Sequence, residues 1–191
     1  MNKTPIGAGK SSFDLIDHIK LFNELDLRDK TFLDLACGPG DYSIAASEYM
    51  GDQGIIYAVD LWREGIENLK KRITAKHINN IQPSVADISV QIPVESHSID
   101  VCLMATVVHD LILDNTEGAV IKEVKRILKP NGILAIVEFK KIEGPPGPSK
   151  QVRISSENLI SIMSSRDFHH VKTIALGPYN YLSEFSYERL P

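Results

Sequence analysis

Phe32-Leu-Asp-Leu-Ala-Cys-Gly-Pro-Gly40 is a short apolar run that stops in a glycine-rich turn. The stretch from about Asp41 to Met50 reads as the helix that follows it. Strand, glycine turn and helix in that order open a βαβ unit, because parallel strands need a helical crossover. Gly38 and Gly40 lack a Cβ, so a ligand can come close to the main chain there. The N-terminus of the next helix presents its N–H groups to the same place.

The pattern repeats outward from this turn. Strands are expected at Thr31–Ala36, Ile55–Asp60, Ile81–Ala86, Ile99–Ala105 and Ile133–Phe139, with helices near Arg63–Lys76 and Glu117–Leu128. The second strand is nearly all apolar, as expected when helices cover both faces of a sheet. Lys129-Pro-Asn-Gly132 breaks the helix before the fifth strand. Upstream, Phe13, Ile16, Ile19 and Phe22 suggest a leading helix over Ser12–Leu25. Downstream, three prolines in Gly144–Pro148 make a stiff loop, and Ser155-Ser-Glu-Asn158 caps a helix running to about Ser165. Val171–Leu176 and Tyr181–Phe185 are joined by Gly177-Pro-Tyr-Asn180, too short a link for anything but antiparallel neighbours. The expected class is α/β, a mostly parallel sheet with one reversed strand at the C-terminal hairpin.

The bulk numbers narrow the partners. A chain of 191 residues fits one domain spanning 1–191, with no second domain or internal repeat. A formal net charge of −4 argues against non-specific binding to a nucleic-acid backbone, which needs a concentrated basic surface. Two cysteines make no disulfide framework and fit a reducing compartment. No apolar run is long enough to span a bilayer, and Met1–Lys10 lacks the apolar core of a signal peptide, so a cytoplasmic location is expected.

Three details refine the glycine turn. Asp34 sits on the approach to it, where a carboxylate repels a pyrophosphate but binds an amino group directly or through water. Ser43 occupies the third glycine position of the dinucleotide fingerprint. Asp60 closes the second strand about 20 residues on, where a carboxylate accepts from ribose hydroxyls.

The run Phe32–Tyr42 resembles the first motif of class I S-adenosylmethionine-dependent methyltransferases. Ala58-Val-Asp60, Val85-Ala-Asp87, Ile99–Ala105 and Arg126-Ile-Leu-Lys-Pro-Asn-Gly132 are similar to that family's later landmarks, in order, with Asn131 where glycine is frequent. The resemblance is strongest to small prokaryotic ubiquinone/menaquinone-type methylases and covers roughly residues 29 to 185. It implies a three-layer Rossmann-like methyltransferase fold with a seven-stranded sheet and S-adenosylmethionine as cofactor. By the same resemblance Asp34, Ala36, Gly38, Gly40 and Tyr42 hold the methionine part. Asp60 binds the ribose, Leu61 and Trp62 pack on adenine, Asp87 and Ile88 receive its amino edge, and Ala105 adds main-chain contacts. Each has an ordinary alternative: Asp34 as a helix-capping or turn carboxylate, Asp60 and Asp87 as strand ends, Trp62 as packing.

On the acceptor side His109, just past the fourth strand, is the candidate catalytic group, with Asp110 to orient or charge it. Its alternative is a helix cap. Glu138-Phe-Lys-Lys141 and the Gly144–Pro148 loop after it are candidate walls of the acceptor pocket, with Lys140, Lys141 and Arg153 for an anionic acceptor, or the lysines as solvated surface. A small molecule is the expected acceptor, since Met104-Ala-Thr-Val107 stands where many amino-directed nucleic-acid methylases carry Asn-Pro-Pro-Tyr. A non-catalytic cofactor-binding subunit and a nicotinamide-dependent reductase are the competing functions. Gly9-Lys10-Ser11 echoes a phosphate loop but lacks its first glycine, so Ile6–Phe13 is expected to be a lid or tail. No metal is expected: adjacent His169 and His170 point to opposite faces of a strand. Cys37 and Cys102 read as packing residues.

Overall fold

The computed structural model describes residues 11–187. Seven strands, β1 (Thr31–Leu35), β2 (Ile55–Asp60), β3 (Ile81–Val85), β4 (Ile99–Ala105), β5 (Leu128–Phe139), β6 (His169–Ala175) and β7 (Asn180–Ser186), join one sheet in the order β3-β2-β1-β4-β5-β7-β6. The first five run parallel; β7 is antiparallel to both β5 and β6. The reversed strand is therefore last in the chain but second from the sheet edge. Parallel pairing puts the carboxyl ends of β1 to β5 on one rim, and every candidate site residue lies on or just after that rim.

Alternation along the strands builds two cores. Phe32, Ile56, Val101, Leu103 and Val137 face α1 (His18–Leu25), α2 (Asp41–Ala46) and α3 (Arg63–Ala75). Leu33, Leu35, Cys102, Met104 and Ile136 face α4 (Val108–Leu113), α5 (Glu117–Ile127) and α6 (Ser156–Ser164). These are the three layers expected, and among the described residues no helix is long and apolar enough to cross a membrane.

Three local expectations change. The leading helix begins at His18, because Ile16 is extended and Asp17 accepts the Lys20 N–H at 2.9 Å as N-cap. A spacing of three slips about 60° per step on a 3.6-residue helix, so Ile19 is 57% exposed while Leu21, Phe22 and Leu25 make the buried face. Lys129–Gly132 is not a gap between helix and strand but the start of β5. Asn131 takes a left-handed φ of 66° and the register with β4 shifts between Ile99 and Val101, which lets the strand absorb Pro130. At the other end, β6 starts at His169, two residues earlier than read, and both histidines are exposed.

Candidate active site

The loop after β1 is wound by three left-handed residues, Ala36 (φ 60°), Gly38 (φ 55°) and Gly40 (φ 80°). Its N–H groups are largely tied down. Cys37 donates to the Val59 carbonyl (3.1 Å), Gly40 to the Cys37 carbonyl (2.9 Å) and Gly38 to Asp60 Oδ2 (2.7 Å). Asp60 Oδ1 accepts from the Trp62 N–H at 2.7 Å. Asp60 thus fastens the loop to the end of β2 with one lone pair on each oxygen. The remaining pairs are what a vicinal diol needs.

The two glycines serve different ends. A Cβ on Gly38 would meet nothing within 4 Å, so the space beside it fits a ligand. A Cβ on Gly40 would sit inside the Leu69 side chain of α3, and the Gly40 carbonyl already accepts from Ile44. Close approach of a ligand does not account for Gly40; packing and its backbone conformation do. Two features were missed from sequence. A Cβ on Gly65 would overlap the Trp62 ring and lie 2.8 Å from the Gly38 carbonyl, so this glycine lets α3 reach the loop. Arg72 clamps the turn, donating to the Pro39 carbonyl and pairing with Asp41, both at 2.8 Å.

Asp34 lies buried beneath this loop and accepts from Ser43 Oγ at 2.5 Å. Ser43 stands at the expected third glycine because it serves that carboxyl. Burial pushes the Asp34 pKa up to about 7; the Ser43 hydrogen bond opposes the rise and the charge of Asp60 adds to it. The Tyr42 hydroxyl is 2.8 Å from Ser12 Oγ, which also accepts from Thr106 Oγ1 at 3.1 Å, and the Phe13 ring meets Tyr42 edge-on. Burial holds the Tyr42 phenol well above its usual range, so it stays protonated. Ser12 thereby ties the entering chain to the first turn of α2 and to the residue after β4; the rest of the expected lid or tail, residues 6–10, lies outside the described residues.

Asp87, exposed after β3, accepts from the Ser89 N–H (2.9 Å) and Oγ (2.6 Å) through Oδ1, which caps the turn just past the strand. Ile88 is buried in the core, Leu61 is exposed, Trp62 half-buried, and Ala105 ends β4 opposite Val137.

The second half of the rim is built from side chains. His109, 6% exposed in the first turn of α4, has Nδ1 2.8 Å from Glu138 Oε2 and 3.0 Å from Oε1. Glu138 is wholly buried near the end of β5 and also accepts the N–H groups of His109 (3.2 Å) and Phe139 (3.3 Å). Asp110 Oδ1 is 3.7 Å from His109 Nε2, beyond hydrogen-bonding length. The orienting carboxylate is therefore Glu138, not Asp110 as expected. A lone acid in the apolar run Ile133–Phe139 was the signal, since a buried carboxylate needs a partner. Burial works to depress the His109 pKa, but the hydrogen bond and charge of Glu138, with Asp110 adding, carry it above 6.5.

Arg153 does not line an anion site. It is 2% exposed and donates to the carbonyls of Pro148, Lys140, Gly144 and Pro146, with its guanidinium 5.5 Å over the Phe139 ring. Three of these bonds shape the proline-rich loop and the fourth holds it to the end of β5. Lys140 Nζ likewise donates to the Gly177 carbonyl at 2.7 Å. Burial raises both thiols, so neither Cys37 nor Cys102 is a ready nucleophile. Among the described residues no cluster of three or more His, Cys, Asp and Glu side chains is arranged to hold a metal.

A family model described as a methyltransferase domain matches residues 26–176. The chain belongs to this methyltransferase domain family. Among solved structures, a SAM-dependent methyltransferase from Aquifex aeolicus is 25% identical, superposes with a TM-score of 0.84 and shares 92% of each chain. Among curated relatives, a 2-phytyl-1,4-naphtoquinone methyltransferase of Trichormus variabilis is 30% identical over 58% of this chain and 47% of its own length. A demethylmenaquinone methyltransferase of Lactobacillus johnsonii is 29% identical over 66% of this chain and 51% of its own. The match covers about half the length of these curated relatives.

Proposed function

We propose that this chain transfers a methyl group from S-adenosylmethionine to a small-molecule acceptor. The observation that carries the reading is the loop at Gly38, open where a side chain would stand and fastened by Asp60, with Asp34 near the end of β1 and Asp87 just past the end of β3. When bound, S-adenosylmethionine supplies an electrophilic methyl on a positively charged sulfur. Asp60 accepts from its ribose hydroxyls, Asp34 balances its ammonium group, and the main chain at Ala36 and Gly38 lies along its methionine part. Asp87, Ile88, Leu61 and Trp62 receive the adenine, and Ala105 borders the methyl end. Gly40 and Tyr42 act at one remove, through Leu69 and Ser12. Rate acceleration comes mainly from holding two reactants in line and dry. The quinone-directed names of the curated relatives support a small ring-bearing acceptor, and two unpaired buried cysteines suit a cytoplasmic setting.

Calorimetry with S-adenosylhomocysteine and with NADH separates this reading from a reductase. One-to-one binding of the former and none of the latter is expected; the opposite pattern overturns it. Binding without transfer from S-adenosylmethionine across phenolic and quinol acceptors would replace the enzyme with a cofactor-binding subunit.

A further inference from the structure

We infer that Glu138 is a positioning residue that locks the His109 imidazole with its proton on Nδ1, leaving Nε2 as the base that takes the proton of a protic acceptor. The inference rests on the methyl-transfer reading and deepens it, by naming both the machinery and the acceptor class: a compound whose nucleophile carries a dissociable proton, such as a phenol, enol or amine.

The geometry supports each part. Glu138 is fully enclosed, and its oxygens accept from two main-chain N–H groups, those of His109 and Phe139. Both main-chain hydrogens are aimed at the carboxyl, which meets them as an acceptor. Among the described residues the third donor set against it is the His109 ring, at 2.8 Å. An ionised carboxylate takes a proton from its neighbour rather than offering one, which places hydrogen on Nδ1 and the lone pair on Nε2. The two residues come from separate elements, the first turn of α4 and the end of β5, both on the rim where the acceptor must enter. The charged groups set against the ring are Glu138 from β5 and Asp110 from α4; both favour the imidazolium that forms once the proton is taken. The proton then passes to solvent, while Glu138 stays ionised throughout, as the carboxylate does in serine-hydrolase triads.

A merely structural Glu138 would hold α4 against β5 without fixing the ring. The discriminating measurement is nitrogen-detected NMR of the histidine side chains, with the His109 signals assigned by their loss in His109→Asn. Above its pKa, wild-type His109 is expected to show a protonated Nδ1 and a bare Nε2. In Glu138→Gln, with the fold checked by circular dichroism, its pKa is expected to fall by about one to three units and the single tautomer to be lost. A wild-type ring protonated on Nε2, or a Glu138→Gln titration superimposable on wild type, would overturn the inference. The wild-type tautomer decides the matter alone if the variant does not fold. S-adenosylhomocysteine calorimetry on the same samples decides the donor reading separately.

Discussion

The two halves of the rim solve the same problem by different means. At the ends of β1 to β3 the site is made of main chain: left-handed turns, N–H groups and strand-end acids that keep lone pairs in reserve. At the ends of β4 and β5 it is made of buried side chains, His109 with Glu138 and Arg153 with four carbonyls, whose polar atoms are turned on each other. The first arrangement suits an invariant ligand bearing many polar groups. The second fixes the proline-rich loop and holds one buried imidazole still. Donor binding and acceptor chemistry are therefore expected to fail separately.

The hardest test of that separation is Arg153→Met, which keeps the aliphatic stem but strands four carbonyls. It is expected to destabilise the fold by about 3–4 kcal/mol in urea titrations, with S-adenosylhomocysteine affinity changed less than about threefold in the folded protein. An affinity that falls in step with stability would break the comparison. Gly40→Ala forces a methyl into Leu69 at a left-handed φ and is expected to cost about 2–3 kcal/mol. Asp34 supplies a pH test. Its folded pKa is raised from 3.8 to about 7, so its contribution to stability is fully present below the unfolded value and is lost as pH rises through about 7. A bound ammonium favours the charged carboxylate, so affinity for S-adenosylhomocysteine should fall as pH drops below about 7, by up to about tenfold per unit. Asp34→Asn should bind more weakly and flatten both profiles; an unchanged slope in either would remove Asp34 from the donor site. Gly38→Ala is expected to be the mildest for the fold, about 1 kcal/mol from its φ alone, yet to cut ligand affinity at least tenfold. Equal losses for the Gly38 and Gly40 variants in both assays would erase the distinction drawn between them.

How much of this could be read in the chain follows the same division. Strands β2 and β4 stand where their apolar runs begin and end, and the glycine turn, Asp34, Asp60 and Asp87 lie in contiguous motifs. A motif reports main-chain shape well, because glycine and strand-end residues act locally. It does not report what a side chain meets across the fold. Gly38 and Gly40 look alike until Leu69 is placed beside one of them. Asp110 is the natural neighbour of His109 in sequence, yet the helix start turns His109 toward Glu138 on another strand. Arg153 reads as an anion ligand until its carbonyl partners are known. The leading helix was misread because Phe13, Ile16, Ile19 and Phe22 recur every three residues, a period that no α-helix keeps on one face.

The order of strands in the sheet has a consequence for how the chain is made. β5 pairs with β4 on one side and with β7, the last strand in sequence, on the other. During synthesis, the strand bearing Glu138 therefore carries a bare hydrogen-bonding edge until residues 180–186 have left the ribosome. β6, although made earlier, has no place in the sheet until β7 arrives to seat it. A nascent chain halted between these two points holds its glycine loop complete and the outer edge of β5 open, with a sticky border available to any neighbour.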